Sequence, residues 1–346
     1  MSTPRFVVGP DDSMDEALAR SNDAEGGLVV VADGEGMVLG TVTDGDIRRA
    51  ALGGAGLDTP ARELMGAPVT IDPSTTADEV RDLLQERHLP TAAVVDAGRL
   101  VGIRHLAEVG GTQAAVTAVV LAGGRGQRLR PLTDKVPKPL LTVGRTTILE
   151  RLLEQLWSSG IVDVHLAVNY KAEVFEERLG TGEGYGIDLR YLHERQELGT
   201  AGPLSLLDPV PTGPILVTMA DQVTSLPFAR LIDFHHQQGA AITVAAFMHE
   251  VPIPYGVLHL EGERVTGIEE KPTLRRRCNA GIFVIDPEVV ALVPPDQMFG
   301  MPSVVEAALA KGWPVAAFPI LERWIDVGSP DALEAALLSF ATGEEV

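Results

Sequence analysis

The chain has 346 residues, 45% of them apolar, and a formal net charge of -20 from 48 acidic and 28 basic side chains. That length is comfortable for two domains; no stretch approaches the roughly 20 apolar residues of a membrane span, and the acidic balance argues against a nucleic-acid polymer, whose phosphates need basic surface. One cysteine, Cys278, rules out an internal disulfide and fits a reducing cytoplasm, and no apolar signal-type stretch opens the sequence.

The first 111 residues hold a diverged repeat. One copy runs from Val7-Val8 through Ser13 and Ala17-Leu18 to Gly27-Leu28-Val29-Val30-Val31 and then Val38 to Ile47. The other runs from Val69-Thr70-Ile71 through Thr75-Thr76 to Thr91-Ala92-Ala93-Val94-Val95 and Leu100 to Ile103. Each reads strand–helix–strand–strand–helix, with Ser13 and Thr75 or Thr76 at the helix starts, where a hydroxyl can accept from a first-turn amide. Neither copy can cover both faces of its strands alone, so the two should pack as a pseudo-symmetric pair. Gly110 to Ala115 reads as a short linker.

This pattern resembles a cystathionine-β-synthase-type (CBS) repeat pair, a module that in many proteins binds adenine or guanine nucleotides and regulates a neighbouring domain. The resemblance implies that Thr43 and Asp46, just after the last strand of the first copy, hold the ribose and phosphate of a regulatory nucleotide. His105 and Glu108 stand at the aligned places of the second copy, so one nucleotide per pair is implied. An assembly module without a ligand is the alternative. Movement in the pair would reach the rest of the chain through residues 110–115.

From Val116 onward strands alternate with helices, which argues for a mostly parallel sheet covered on both faces. Val116 to Leu121 reads as a buried strand emptying into the turn Gly123-Gly124-Arg125-Gly126. Glycines there let amides approach an anion with no Cβ in the way. Arg125, Arg128, Arg130, Lys135 and Lys138 follow against a single acid, Asp134, a cationic island in an acidic protein. Together these make a phosphate cradle suited to a polyphosphate, although neither P-loop nor Gly-x-Gly-x-x-Gly spacing is present. Ile148-Leu149, Leu152-Leu153 and Leu156-Trp157 mark a helix over the sheet. Val162 to Val168 is the next strand, and Ile215 to Asp221 another, with its acid at the carboxyl end where ligands of open α/β sheets sit. No histidine has a Cys or His partner at zinc spacing.

Gly123-Gly124-Arg125-Gly126-Gln127-Arg128-Leu129-Arg130-Pro131-Leu132-Thr133, followed by Pro137-Lys138-Pro139, closely resembles the signature of the sugar-1-phosphate nucleotidyltransferases, and the likeness runs over residues 116–335. It implies an α/β fold: a mostly parallel, Rossmann-like nucleotidyltransferase sheet over 116–346, preceded by an α+β CBS pair over 1–111. It implies transfer of a nucleotidyl group from an NTP to a sugar 1-phosphate, with Mg²⁺ as cofactor. Arg128 and Lys138 would be the catalytic cations on the phosphates. Asp221, and Asp326 within Trp324-Ile325-Asp326-Val327-Gly328-Ser329-Pro330, would hold the metal. Leu121, Gly123, Gly124, Gly199, Thr200 and Gly202 would bind the nucleotide. Tyr255, Gly256, Glu270, Lys271 and Asn279 match the sugar-phosphate motifs. Ala220 departs from the glycine usual before the first aspartate.

Leu198-Gly199-Thr200-Ala201-Gly202-Pro203 resembles the segment of enzymes that join guanylyl groups to mannose-type sugar phosphates, which makes GTP the expected donor. Some uridylyl and cytidylyl relatives share it and stay open. The CBS fusion resembles guanylyltransferases of amino-sugar pathways and suggests glucosamine 1-phosphate, although the sequence does not name the sugar. A sugar-phosphate sensor without turnover is the other reading. CBS pairs commonly associate face to face, so a homo-oligomer is implied.

Overall fold

The computed structural model describes residues 6–24, 26–66, 68–109 and 115–341, so nearly all of the expected linker lies outside the described residues. In the first repeat, β1 (Val7–Val8), α1 (Met14–Asp23), β2 (Leu28–Ala32), β3 (Val38–Thr43) and α2 (Asp44–Leu52) follow one another. Ser13 caps α1 by accepting from Glu16 N. A single turn, α3 (Ala61–Leu64), leads to β4 (Thr70–Ile71), α4 (Ala77–Glu86), β5 (Thr91–Asp96) and β6 (Arg99–His105). Thr76 caps α4 and Glu79 reaches back to close a capping box, whereas Thr75 accepts from Asp72 N in the preceding turn. The second copy ends in a 3₁₀ turn, Leu106–Val109, where the repeat predicts a helix. The two three-stranded sheets share a core in which Leu28 and Val30 meet Val69, Ile71, Ala92 and Val94. This is the pseudo-symmetric pair the repeat requires.

The larger unit starts with β7 (Thr117–Leu121), a small hairpin of β8 (Thr142–Val143) and β9 (Thr146–Thr147), and α5 (Ile148–Ser158). Next come β10 (Asp163–Val168), α6 (Ala172–Leu179), β11 (Asp188–His193), β12 (Ile215–Met219) and β13 (Gln222–Thr224). The chain continues through α7 (Phe228–Gln238), β14 (Ile242–Pro252), β15 (Val257–Glu261), β16 (Arg264–Glu269) and β17 (Thr273–Ile285). It finishes with α8 (Met301–Ala310), β18 (Val315–Pro319), β19 (Trp324–Asp326) and α9 (Pro330–Ala341). The main sheet has the order β11-β10-β7-β12-β17-β14-β18, and only β17 runs against its neighbours.

β7 shows why its sequence is apolar without alternation. Successive side chains point to opposite faces, and both faces are covered. Ala118 and Val120 join Leu149, Leu152, Leu153 and Leu156 of α5. Val119 and Leu121 join Val304 and Ala308 of α8. Each buried Val or Leu contributes roughly 1.5–3 kcal/mol, so this central strand is held firmly from both sides. Its carboxyl end, where the glycine turn begins, is correspondingly fixed. β14 and β17 stay paired beyond the sheet out to Pro252 and Thr273, past a register shift between Val244 and Ala246, and β15–β16 caps this exposed arm.

The units dock directly. Arg230 of α7 donates to Ser21 O at 3.0 Å and Ala24 O at 2.9 Å, at the carboxyl end of α1. Arg277 of β17 donates to Ala51 O and Leu52 O, at the carboxyl end of α2. Cations belong at these ends because the last carbonyls of a helix lack internal partners and carry partial negative charge.

Candidate active site

The turn after β7 is tight for a steric reason. Gly126 has φ +60°, and a Cβ there would lie 3.0 Å from both Lys138 Cβ and Thr133 Cγ2. Thr133 fixes it further, its hydroxyl donating to Gly126 O at 2.8 Å. The close approach lets the Pro137-Lys138-Pro139 segment pack directly on the glycine turn, and Lys138 is only 7% exposed. Its ammonium lies 2.5 Å from Asp221 Oδ2 and 3.7 Å from Asp326 Oδ1.

The two aspartates arrive from separate parts of the chain. Asp221 follows β12 at the sheet's carboxyl edge, and Asp326 ends β19. Antiparallel pairing of β13 with β19 sets Gln222 opposite Asp326, and Val327 N donates to Asp221 O at 3.1 Å. Arg128 completes the group. A Cβ on Gly328 would lie 2.9 Å from Arg128 Nη2 and 3.1 Å from Asp326 Oδ2, so guanidinium and carboxylate flank the same glycine. Ala220, in the place of the expected glycine, is wholly buried and does not line the cleft.

A cleft of about 390 Å³ opens over Leu121, Gly124, Arg128, Lys138, Asp221 and Gly328. A second lobe of about 390 Å³ shares Leu121, Gly124, Gly126, Gln127 and Met219 with the first and is bounded by Gly123, Arg125, Glu194, Glu197, Gly199 and Thr200. Gly199 has φ +78°, and a Cβ there would press to 2.7 Å from Phe299 O. Thr200 Oγ1 accepts from Met301 N at 2.9 Å, so the segment is bolted to the start of α8.

Glu194 is not among the residues the sequence singles out, because no spacing marks it. The carboxylate accepts from Leu198 N at 2.9 Å, and its other oxygen lies against Gly123, where a Cβ would come within 2.6 Å. Burial pushes its carboxyl above the usual range, partly opposed by the Leu198 amide. Glu197, beside it, pairs with Arg125 at 3.0 Å across the lobe's mouth.

Not every expected residue gathers here. Gly202 is buried and lines neither lobe: its N–H is given to Phe299 O, and a Cβ would strike Leu198 and Gln297 O. Asn279 sits on β17 with its Oδ1 accepting from Gly281 N at 2.8 Å. Gly281 backs onto Gln222 and Met219, beside Asp221. Tyr255, Gly256, Glu270 and Lys271 lie at the ends of β15–β16. A Cβ on Gly256 would meet Glu270 Oε2 at 2.9 Å, so this set gathers around itself, and none of it lines either lobe. Tyr255 is 74% exposed.

In the CBS pair, Thr43 and Asp46 bond each other, and the second Asp46 oxygen pairs with Arg49. Thr43 caps α2, and the Asp46 carboxylate accepts from Thr43 N at 2.8 Å and Thr43 Oγ1 at 2.7 Å. The neighbouring space between the repeats, lined by Gly27, Thr43, Gly45 and Thr91, is filled by Arg230 and leaves about 10 Å³. A Cβ on Gly27 would overlap the Arg230 guanidinium. That volume holds about one water.

Among the described residues no three His, Cys, Asp or Glu side chains converge. Asp221 on a substrate-sized cleft, with Asp326 across the same ammonium, nevertheless fits Mg²⁺, which takes one or two carboxylates and completes its shell with substrate oxygens and water. Here the Lys138 ammonium pairs with both carboxylates and offsets one of their two charges.

A nucleotidyl transferase model matches residues 117–342, and a CBS-domain model matches 1–53 and 61–103. The chain belongs to the nucleotidyl transferase family and carries a CBS pair ahead of that domain. The mannose-1-phosphate guanyltransferase of Yarrowia lipolytica is 36% identical over 224 residues, 61% of this chain and 60% of that protein. That of Saccharomyces cerevisiae is 36% identical over 234 residues, 64% of this chain and 63% of that protein. The chain thus spans about 60% of the length of these curated relatives. A putative glucose-1-phosphate thymidylyltransferase from Bacillus anthracis, crystallised with sucrose, shares the fold with a TM-score of 0.54 at 24% identity, over 65% of this chain and 94% of that one.

Proposed function

We propose that the chain transfers a guanylyl group from GTP to a sugar 1-phosphate. A phosphate oxygen of the sugar attacks the α-phosphorus, the bond to the β-phosphate breaks, and pyrophosphate leaves. The observation that carries this reading is that Arg128, Lys138 and Asp221 line one cleft at the strand ends, under the glycine turn, with Asp326 beside them at 3.7 Å from the Lys138 ammonium. Transfer between phosphates asks the protein mainly for alignment and neutralisation of charge. Lys138 and Arg128 would supply cations to the phosphates, and Asp221 and Asp326 would hold Mg²⁺, whose chemistry here is to stabilise charge on the phosphoryl oxygens.

Guanine is supported by Glu194. A carboxylate only accepts hydrogen bonds, and guanine offers N1–H and N2–H side by side, whereas adenine N1 and cytosine N3 present acceptors. The relatives' names favour mannose 1-phosphate as acceptor over glucosamine 1-phosphate. Cytoplasm, where Cys278 stays reduced, and a homo-oligomer complete the proposal.

The test is pyrophosphate release from GTP, UTP, CTP, ATP and dTTP with mannose, glucosamine and glucose 1-phosphates, in wild type and Asp221→Asn. GTP with mannose 1-phosphate should give the highest kcat/KM, and Asp221→Asn should lower kcat by about two to three orders of magnitude while the fold persists. Binding of the substrates without turnover would establish a sensor instead, and a preferred pyrimidine nucleotide would refute the base assignment.

A further inference from the structure

Arg48, on α2 of the CBS pair, is fully buried. Its guanidinium reaches into the larger unit, 4.3 Å over the Phe318 ring. Nη1 donates to Pro319 O at 2.8 Å and Glu322 Oε2 at 3.0 Å, and Nη2 to Glu322 Oε1 at 2.5 Å. Nε and Nη2 also bind Asp44 at 3.2 and 3.1 Å, so both carboxylates are held in forked geometry. Burial opposes the charge, but Asp44 and Glu322 outweigh it and push the pKa of Arg48 above its ordinary value.

Glu322 stands at the entry to β19, the three-residue strand that ends in Asp326. The Arg48-bound carboxylate also accepts from Leu321 N, and Leu321 packs on the CBS core. The next residue, Arg323, gives its carbonyl to Ser225 N and Thr224 Oγ1. β19 is thus tied at its amino end to α2 and along its length to β13. The Asp326 side chain, by contrast, is 48% exposed, and among the described residues its ion pair is with the Lys138 ammonium at 3.7 Å. The place of that carboxylate depends on where its short strand is anchored.

We infer that Arg48 is a positioning residue for Asp326: a side chain of the CBS pair sets the carboxylate that the proposed reaction uses for its metal. The inference rests on the proposed reading of Asp326. It makes α2, the helix that Thr43 and Asp46 begin, one physical link between the units.

The test uses the full chain in three variants. Arg48→Lys keeps a charge but loses the fork. The triple variant Arg48→Met, Asp44→Asn, Glu322→Gln removes the buried charges together, so that none is left unpaired. Asp326→Asn reports on the metal reading alone. Amide hydrogen exchange, Mn²⁺ binding in the presence of GTP by electron paramagnetic resonance, and kinetics against Mg²⁺ are compared with wild type. Exchange at Trp324 to Val327 should rise about ten-fold or more in the Arg48 variants, with Ile215 to Met219 unchanged. The Mn²⁺ dissociation constant and the Mg²⁺ midpoint should rise about three- to ten-fold, while the KM for GTP stays within about two-fold. Wild-type exchange and metal binding in a folded Arg48 variant, alongside weakened metal binding in Asp326→Asn, would overturn the positioning role. Unchanged metal binding in Asp326→Asn would overturn the metal reading instead, and the exchange result would then decide whether Arg48 anchors β19. If the triple variant does not fold, the same measurements on Arg48→Lys decide the question.

Discussion

Replacing Gly328 with alanine would insert a Cβ 2.9 Å from Arg128 Nη2 and 3.1 Å from Asp326 Oδ2, and nearly nothing else would be disturbed. Gly328 does not have a positive φ, so the backbone accepts alanine without strain. Ordinary contact begins near 3.4 Å, so the guanidinium and carboxylate must each give way by up to 0.5 Å. Both are ends of flexible side chains, and the cost in stability should be under about 0.5 kcal/mol. The cost in rate should be larger, because displacements of this size at the reacting groups cost about ten-fold or more. Gly126→Ala is the contrast: its φ of +60° and contacts at 3.0 Å with Lys138 and Thr133 strain the turn itself, so about 1–2 kcal/mol of stability should go with the activity. The assay is pyrophosphate release beside chemical unfolding for each variant. A Gly328→Ala enzyme with unchanged stability and kcat/KM within about two-fold of wild type would refute the placement of Arg128 and Asp326 at the reacting phosphates.

Three further outcomes are expected. Glu194→Gln should lower kcat/KM for GTP by about 10- to 100-fold and leave that for UTP nearly unchanged, since it costs guanine one of two paired acceptors; steady-state competition between the two nucleotides reads this directly. Arg230→Ala should empty the closed space between the repeats, so that GMP or AMP binds at least about ten-fold more tightly in calorimetry than to the wild type, and equal affinities would show that Arg230 does not govern access. Glu150 closes the capping box of α5 and bonds Arg178 Nε at 3.0 Å and the Tyr185 hydroxyl at 2.9 Å. Burial pushes its carboxyl up, but these donors hold it down to about 2. A depressed carboxylate stabilises the fold above the unfolded value near 4.5 and loses that contribution as pH falls toward 2. Glu150→Gln should therefore cost about 1–2 kcal/mol in urea unfolding at pH 7 and progressively less below pH 4.5.

Much of this protein is local enough to be read from the chain. The strand β7 is apolar from Ala118 to Leu121 because both its faces are covered, and the capping box at Thr76 follows from a neighbour three residues on. The glycine turn and its cations form one continuous segment, so Arg128 and Lys138 carry their own signal. Asp221 and Asp326 lie more than a hundred residues apart; Asp221 is legible from its place at a strand's carboxyl end, whereas Asp326 is legible only through motif resemblance. What brings them to one ammonium is the pairing of β13 with β19. Glu194 has no motif of its own, and only the fold turns it toward Gly123 in the turn after β7. Thr43 and Asp46 show the converse: the motif is intact, yet a helix from the other unit inserts Arg230 into the space beside them. Sequence patterns register groups that meet through the 3.6- and 2-residue periods of one element. Contacts between elements depend on how sheets and helices pack, and only the packing at the docked interface put Arg230 of α7 beside Thr43 and Arg48 of α2 on Glu322, next to the strand that carries Asp326.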